Sequence, residues 1–114
     1  MSGSNGKKIY SMHADFCKFM GNPKRIEILF LLGEGEKCVE ELASLMDIRL
    51  PNASQHLAIM KDKGIVESNR EGTKVYYRLS NPKVLEACLI MRDLMLEQLN
   101  NKLDIINGGT HEIP

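Results

Sequence analysis

Apolar residues recur at helical spacing through the first part of the chain. Segment 8–20 carries a stripe with members three or four residues apart, which predicts an amphipathic helix that ends at Gly21. Its members are Ile9, Met12, Phe16 and Phe19. Asn22 followed by Pro23 predicts a second helix, because Asn caps helices and Pro suits the first helical position. That helix ends near Gly33 and Gly35, and its predicted buried residues are Ile26, Leu29 and Phe30.

Two further helices follow in close succession. Segment 38–47, CVEELASLMD, predicts a short helix, and a brief break leads to a fourth helix from about Pro51 to Lys63, which Gly64 terminates. The stripe of the short helix is Val39, Leu42, Ala43 and Met46. The residues of the fourth helix that are expected to point into the core are Ala53, Leu57 and Met60. Those expected to lie more on the outside are Asn52, Gln55, His56, Ile59 and Lys61.

The pattern changes after residue 64. The segments IVESN and KVYYRLS are rich in Val, Ile and Tyr, and Arg70-Glu71-Gly72-Thr73 separates them, which predicts a β-hairpin. A long helix is expected over about 82–105. Its apolar positions are Leu85, Leu89, Ile90, Leu94, Met95, Leu96, Leu99, Leu103 and Ile106. This stripe is too wide for a surface helix, so the helix should pack against another chain.

The order of these elements predicts a mainly α fold with a β-hairpin wing. Two short helices joined by a few residues, the second with small polar side chains, indicate a helix-turn-helix. Such a second helix fits the major groove of DNA, where Asn and Gln can form paired hydrogen bonds to adenine. Arg70 and Lys74 flank the tip of the hairpin, where they suit phosphates or the minor groove.

The formal net charge of zero conceals a segregated distribution. Residues 49–78 contain six Lys and Arg against three acids, whereas residues 31–48 contain one Lys against five acids. A local basic face is what phosphate binding requires, and a dimer would double it.

The segment EKCVEELASLMDIRLPNASQHLAIMKDKGIVESNREGTKVYYRLSNP, preceded by NPKRIEIL, resembles the ArsR/SmtB family of repressors, and the resemblance covers about residues 9–100. It implies a winged helix-turn-helix homodimer, joined through its first and last helices, that binds a palindromic DNA operator as a transcriptional repressor. It also implies that an inducer lowers the DNA affinity. The positions that match the family's DNA contacts are Asn52, Ser54, Gln55 and His56 in the fourth helix, and Arg70 and Lys74 in the wing. Lys61 is added as a phosphate contact.

Other interpretations of the same residues stay open. A winged helix can serve as a protein-interaction module that does not bind DNA, since fold does not fix function. Ser54 can hydrogen-bond a backbone carbonyl, and His56 can orient a neighbour instead of contacting a base. Lys61 and Lys63 can form a solvated face.

The signal that is sensed does not follow from the sequence. The family's Cys-Val-Cys-x-x-Cys arsenic site keeps only Cys38, and residues 82–106 contain no histidine for the family's zinc site. His13 and Cys17 share a helical face and could join Cys38 as metal ligands, although buried apolar packing is the favoured role of Cys17. Thiol redox chemistry could involve Cys17, Cys38 and Cys88. The sequence therefore leaves the cofactor unknown, and the absence of any cofactor stays one of the alternatives.

Composition limits the remaining classes. Hydrophobic residues make up 43% of the chain, no segment reaches the run of about 20 apolar residues that a membrane span needs, and three widely spaced cysteines fit no disulfide framework. We therefore expect a cytoplasmic protein with no membrane contact. No phosphate loop, nucleophile elbow or paired metal motif indicates an enzyme. The expected organisation is a disordered leader at 1–7, one DNA-binding and dimerisation domain at 8–106, and a flexible tail at 107–114.

Overall fold

The computed structural model describes residues 3–106, and the surroundings of side chains from residue 6 onward. It divides into two compact units with the boundary between Asn81 and Pro82. The elements in chain order are α1 (Gly3–Met20), α2 (Pro23–Gly33), β1 (Lys37–Cys38), α3 (Val39–Met46), α4 (Leu50–Asp62), β2 (Val66–Glu71), β3 (Lys74–Leu79) and α5 (Lys83–Ile106). This order confirms the predicted mainly α fold with a β-hairpin wing.

The local start and stop signals act as the sequence predicts. The Asn22 side chain accepts hydrogen bonds from the backbone amides of Lys24 and Arg25 at 2.9 and 3.3 Å, which caps α2. Gly64 follows α4 with a φ of 76°, a left-handed conformation that glycine adopts without a steric penalty. The start of α2 and the end of α4 are therefore set by residues next to them in the sequence.

The helix-turn-helix consists of α3, a tight turn and α4. Asp47 ends α3 with a φ of 55°, and the next amide, that of Ile48, donates to the Ala43 carbonyl at 3.0 Å. Asp tolerates this left-handed conformation better than most residues do. The reversal lets α4 begin at Leu50, immediately after the turn.

The sheet is three-stranded and antiparallel, with the order β1-β3-β2. In the wing, Arg70 pairs with Val75 and Glu71 pairs with Lys74, so Gly72 and Thr73 form the turn. Strand β1 was not predicted, because two residues carry no alternation that a sequence pattern can display. It joins α3 to the sheet, since Cys38 lies opposite Tyr76 of β3.

The core of the first unit lies among α2, α3, α4 and the start of β2. Its fully enclosed side chains include Ile28, Leu29, Leu42, Ala53, Leu57, Met60 and Val66. The inward residues predicted for α4 are confirmed, whereas the face predicted for α2 is partly wrong. Ile26 and Phe30 are only half-buried, and Ile28 and Leu32 are buried in their place. Helix α2 is apolar on nearly all sides, so spacing alone does not select its buried face.

Helices α1 and α5 leave most of their apolar side chains uncovered in the single chain. Ile9 and Met12 of α1 are 60% and 59% exposed, and none of the α5 residues is buried. In the structure α1 begins at Gly3, within the segment 1–7 that was expected to be a leader. The first turn of the helix is polar, so it carries no apolar stripe that the sequence pattern could display. The tail predicted at 107–114 lies outside the described residues. No helix in the described part is long and apolar enough to cross a bilayer.

Candidate nucleic-acid interface

Helix α4 presents a polar surface on the side away from the core. Asn52, Ser54 and Gln55 are all exposed, while Ala53 and Leu57 are fully buried. Helical spacing places Gln55 opposite the buried residues, with Asn52 and Ser54 on its two flanks. The three predicted base-contacting residues thus lie on a continuous exposed face. Amide and hydroxyl groups on such a face can form hydrogen bonds with base edges in the major groove.

His56 occupies a different environment from its polar neighbours. The residue is half-buried, and its Nδ1 atom is buried with no hydrogen-bond partner among the described residues. Burial lowers the pKa of His56, and the positive charges of Arg25 and Lys24 lower it further. The imidazole is therefore held neutral beside α2, which favours a role in positioning α4 over a contact to a base.

The wing carries the exposed cations Arg70 and Lys74 near its tip, as predicted. Arg70 forms no salt bridge within the described chain, so its guanidinium is free to contact a phosphate. Further down the hairpin, Arg78 donates to Glu67 at 2.6 Å in an exposed ion pair, and its charge is offset there.

Lys74 lies among acidic groups. Hydrogen bonds at the start of α3 lower the pKa values of Glu40 and Glu41, and the charge of Lys74 lowers them further. Glu71 is also its direct cross-strand neighbour. Carboxylates that already interact with Lys74 compete with a phosphate, so Arg70 is the stronger candidate for a DNA contact. Lys61, near the end of α4, is exposed as the sequence predicted.

The cysteines are not gathered into a metal site. Residues 3–106 contain no group of three or more His, Cys, Asp or Glu side chains that could hold a metal ion, so the structure does not bring His13, Cys17 and Cys38 together as such a group within one chain. Cys38 is only 2% exposed, and its backbone amide donates to the Glu41 carboxylate at 3.0 Å. Cys17, which was expected to pack in a dimer core, is exposed in the single chain. Burial raises the pKa of the Cys88 thiol, which disfavours its reactive thiolate.

Arg25 influences His56, although no sequence pattern indicates this. It lies in the first turn of α2, close enough to His56 for its charge to act on the imidazole. The two residues are far apart in the sequence, and the only local signal was a cation next to a helix start. The spacing of charged residues along the chain does not predict that Arg25 acts on His56.

A polar helix held at the surface by a tight turn, followed by a hairpin with an exposed arginine, defines a winged helix-turn-helix protein. In this class the second helix of the motif enters the major groove of DNA. Comparison with known proteins narrows the class to a family. Residues 22–68 match the family model described as bacterial regulatory protein, arsR family.

The relatives are regulators of the same kind. The HTH-type transcriptional regulator Rv0324 of Mycobacterium tuberculosis is 34% identical over 101 residues, which are 87% of this chain and 45% of that protein. The chain thus spans under half the length of that relative. The homodimeric winged helix-turn-helix DNA-binding domain of Mb0332 from Mycobacterium bovis is 32% identical in sequence and superposes with a TM-score of 0.76. The match covers 89% of this chain and 95% of the Mb0332 chain. The transcriptional repressor BigR from Xylella fastidiosa is 28% identical in sequence, with a TM-score of 0.69. That match covers 85% of this chain and 96% of the BigR chain. The chain belongs to the ArsR family of bacterial transcriptional regulators.

Proposed function

We propose that this protein is a homodimeric repressor that binds a palindromic DNA operator and is released from it by an inducer. The observation that carries the proposal is the exposed polar face of α4, with Gln55 at its centre, beside a wing that presents Arg70. Asn52, Ser54 and Gln55 supply sequence preference through base edges, and Arg70 supplies affinity through phosphates. The protein acts by occupying DNA in the cytoplasm and has no catalytic role.

The exposed apolar residues support the dimer. Large uncovered apolar surfaces on a protein mark places where another molecule binds. Phe16 of α1 is 42% exposed, and Leu89, Leu96 and Leu99 of α5 are between 40% and 51% exposed. A second copy of the chain covers these stripes when the first and last helices pair across a twofold axis. Residues 8–106 then form a single DNA-binding and dimerisation domain, and a twofold protein matches a palindromic operator.

The inducer stays unidentified, but the thiols differ in what they can sense. Cys17 is exposed in the single chain, Cys38 is enclosed, and the pKa of Cys88 is raised by burial. Sensing through thiols predicts that changing all three cysteines to serine abolishes the response of operator binding to oxidants and soft metals. A response that survives this change assigns sensing to other groups.

The function is tested by measuring binding to the DNA upstream of the protein's own gene. Fluorescence anisotropy at two salt concentrations should show an affinity that falls as salt rises, because phosphate binding releases counterions. Gln55→Ala should weaken operator binding roughly tenfold and relax the base preference, since one bidentate contact is lost. Gln98→Ala removes the same amide from α5 and serves as the matched control.

The alternative is an interaction module that binds protein and not DNA. It predicts no sequence-specific binding to any part of the upstream region, even at low salt. That result would exclude the repressor, whereas binding to the upstream region that Gln55→Ala leaves unchanged would exclude only the assignment of Gln55.

A further inference from the structure

One aromatic ring at the end of α1 contacts cations from two other parts of the first unit. The Arg25 guanidinium carbon lies 4.2 Å from the centroid of the Phe19 ring, and Lys63 Nζ lies 5.5 Å from it. Both distances are within the range in which a cation is attracted to a ring face. Since Arg25 belongs to α2 and Lys63 is the C-cap of α4, Phe19 joins three helices.

Arg25 is held firmly on the α1 side. Its Nη1 atom donates to the Phe19 carbonyl at 3.0 Å, and its backbone amide donates to the Asn22 side chain at 3.3 Å. The turn between the two helices is tight, because a Cβ atom on Gly21 would lie 3.3 Å from the Lys18 carbonyl oxygen. The end of α1 and the start of α2 therefore form one closely fixed corner.

The positive charge of Arg25 also acts on α4, where it lowers the pKa of His56 after burial has done so. Arg25 Nε and His56 Nδ1 are both buried, and neither has a hydrogen-bond partner among the described residues. The two atoms are chemically complementary, because the guanidinium Nε–H donates and a neutral imidazole nitrogen accepts. Buried polar atoms are costly to leave unpaired, so both residues lie where the packing between helices constrains them.

We propose that Arg25 is a positioning residue for DNA recognition, which helps to fix α4 relative to the end of α1 through the Phe19 ring that Lys63, at the end of α4, also contacts. This inference rests on the proposed function, in which α1 pairs with a second copy and α4 enters the major groove. In such a dimer, the spacing of the two α4 helices depends on how each α4 is held to its own α1. A change at Arg25 thus misplaces α4 without removing any group that contacts DNA.

The direct test compares three variants of the full chain on two DNA duplexes. Arg25→Gln should lower the affinity for the upstream operator by at least about tenfold, while the affinity for an unrelated duplex changes by less than about twofold. Arg25→Lys keeps the cation over the ring and loses the Nε and Nη1 donors, so it should fall between Arg25→Gln and the parent. Lys24→Gln is the matched control, because it removes the neighbouring cation without touching Phe19, and it should leave the ratio of the two affinities unchanged.

A spectroscopic readout separates positioning from loss of fold. Arg25→Gln should raise the pKa of His56 toward its usual range in an NMR titration, since a nearby positive charge is removed. If Arg25→Gln does not fold, as judged by circular dichroism, Phe19→Leu provides the test. It keeps an apolar side chain but removes the ring, and it should also lower operator affinity selectively.

The outcomes are distinct. Equal losses on both duplexes, or unchanged operator affinity in folded Arg25→Gln or Phe19→Leu protein, would overturn the positioning role. A parent protein that binds no operator would instead overturn the proposed function itself.

Discussion

Helices α4 and α5 differ in where their apolar side chains go. Helix α4 buries Ala53, Leu57 and Met60 completely within its own unit, and its remaining surface is largely polar. Helix α5 has more large apolar residues, yet none of its residues is buried in the single chain. The comparison teaches that α4 packs into a core that its own unit supplies, whereas the apolar surface of α5 stays open in the single chain.

The largest effect is expected from removing part of the completed core. Leu57→Ala should lower the free energy of unfolding by about 3 kcal/mol, since an enclosed leucine leaves a cavity that the surroundings fill only in part. Urea unfolding followed by circular dichroism measures this change. The control is Leu50→Ala on the same helix, where the side chain is 44% exposed and the expected loss is about 0.5 kcal/mol. Equal losses at the two positions would refute the distinction between the faces of α4.

A charge on the apolar stripe of α5 should act on assembly and leave the first unit folded. Leu99→Glu places a carboxylate where a second copy is proposed to pack, so the dimer dissociation constant should rise by at least about a hundredfold. Light scattering over a range of protein concentrations measures the assembly state. Asn101→Glu adds the same charge about 200° around the helix from Leu99, and it should leave the dimer intact. A dimer that survives Leu99→Glu would show that this face of α5 is not the interface.

Much of the first unit follows from local signals in the sequence. Asn22 and Gly64 mark helix ends, and Gly72 marks the wing turn, because each conformation depends on one residue and its neighbours. The buried face of α2 and the two-residue strand β1 do not follow, since tertiary packing decides which side of an apolar helix is covered and which short segment joins a sheet.

The candidate site shows the same division between local and distant effects. The exposure of Asn52, Ser54 and Gln55 follows from the helical period of α4. The half-buried state of His56 does not, because it depends on tertiary packing, and neither does its lowered pKa, which burial and then the charges of the distant residues Arg25 and Lys24 produce. The sequence pattern therefore groups His56 with its exposed polar neighbours as a DNA contact, although its side chain is half-buried.

Substitutions in the wing test whether residues of the first unit set the DNA affinity without affecting the dimer. Arg70→Gln should reduce the slope of log affinity against log salt by about 0.9, as expected for one lost phosphate contact. Lys74→Gln, two positions beyond the turn glycine, should reduce it less, because the charge of Lys74 already acts on Glu40 and Glu41, and Glu71 is its cross-strand neighbour. Anisotropy titrations at four salt concentrations measure both slopes, and the dimer constant should not change. A larger effect from Lys74→Gln would reverse the assignment of the phosphate contact.

The smallest expected effect is a pH dependence of stability that belongs to the first unit. The pKa of His56 is lowered in the folded protein by burial and then by Arg25 and Lys24, whereas it lies near about 6.5 in the unfolded chain. The unfolded state therefore binds more protons, and stability should fall as pH decreases below about 6.5, until the folded-state pKa is passed. Above that pH the contribution is fully present.

Urea unfolding at half-unit pH steps detects this loss, and His56→Gln should remove it. Glu40 and Glu41 have pKa values lowered from the ordinary value of 4.5, so the loss of their contribution begins at more acidic pH than that of His56. His13→Gln, on the exposed surface of α1, is the matched control and should keep the pH dependence. If His13→Gln abolished the dependence and His56→Gln retained it, the buried imidazole would not be its source, and the contact between α2 and α4 would lose its electrostatic support.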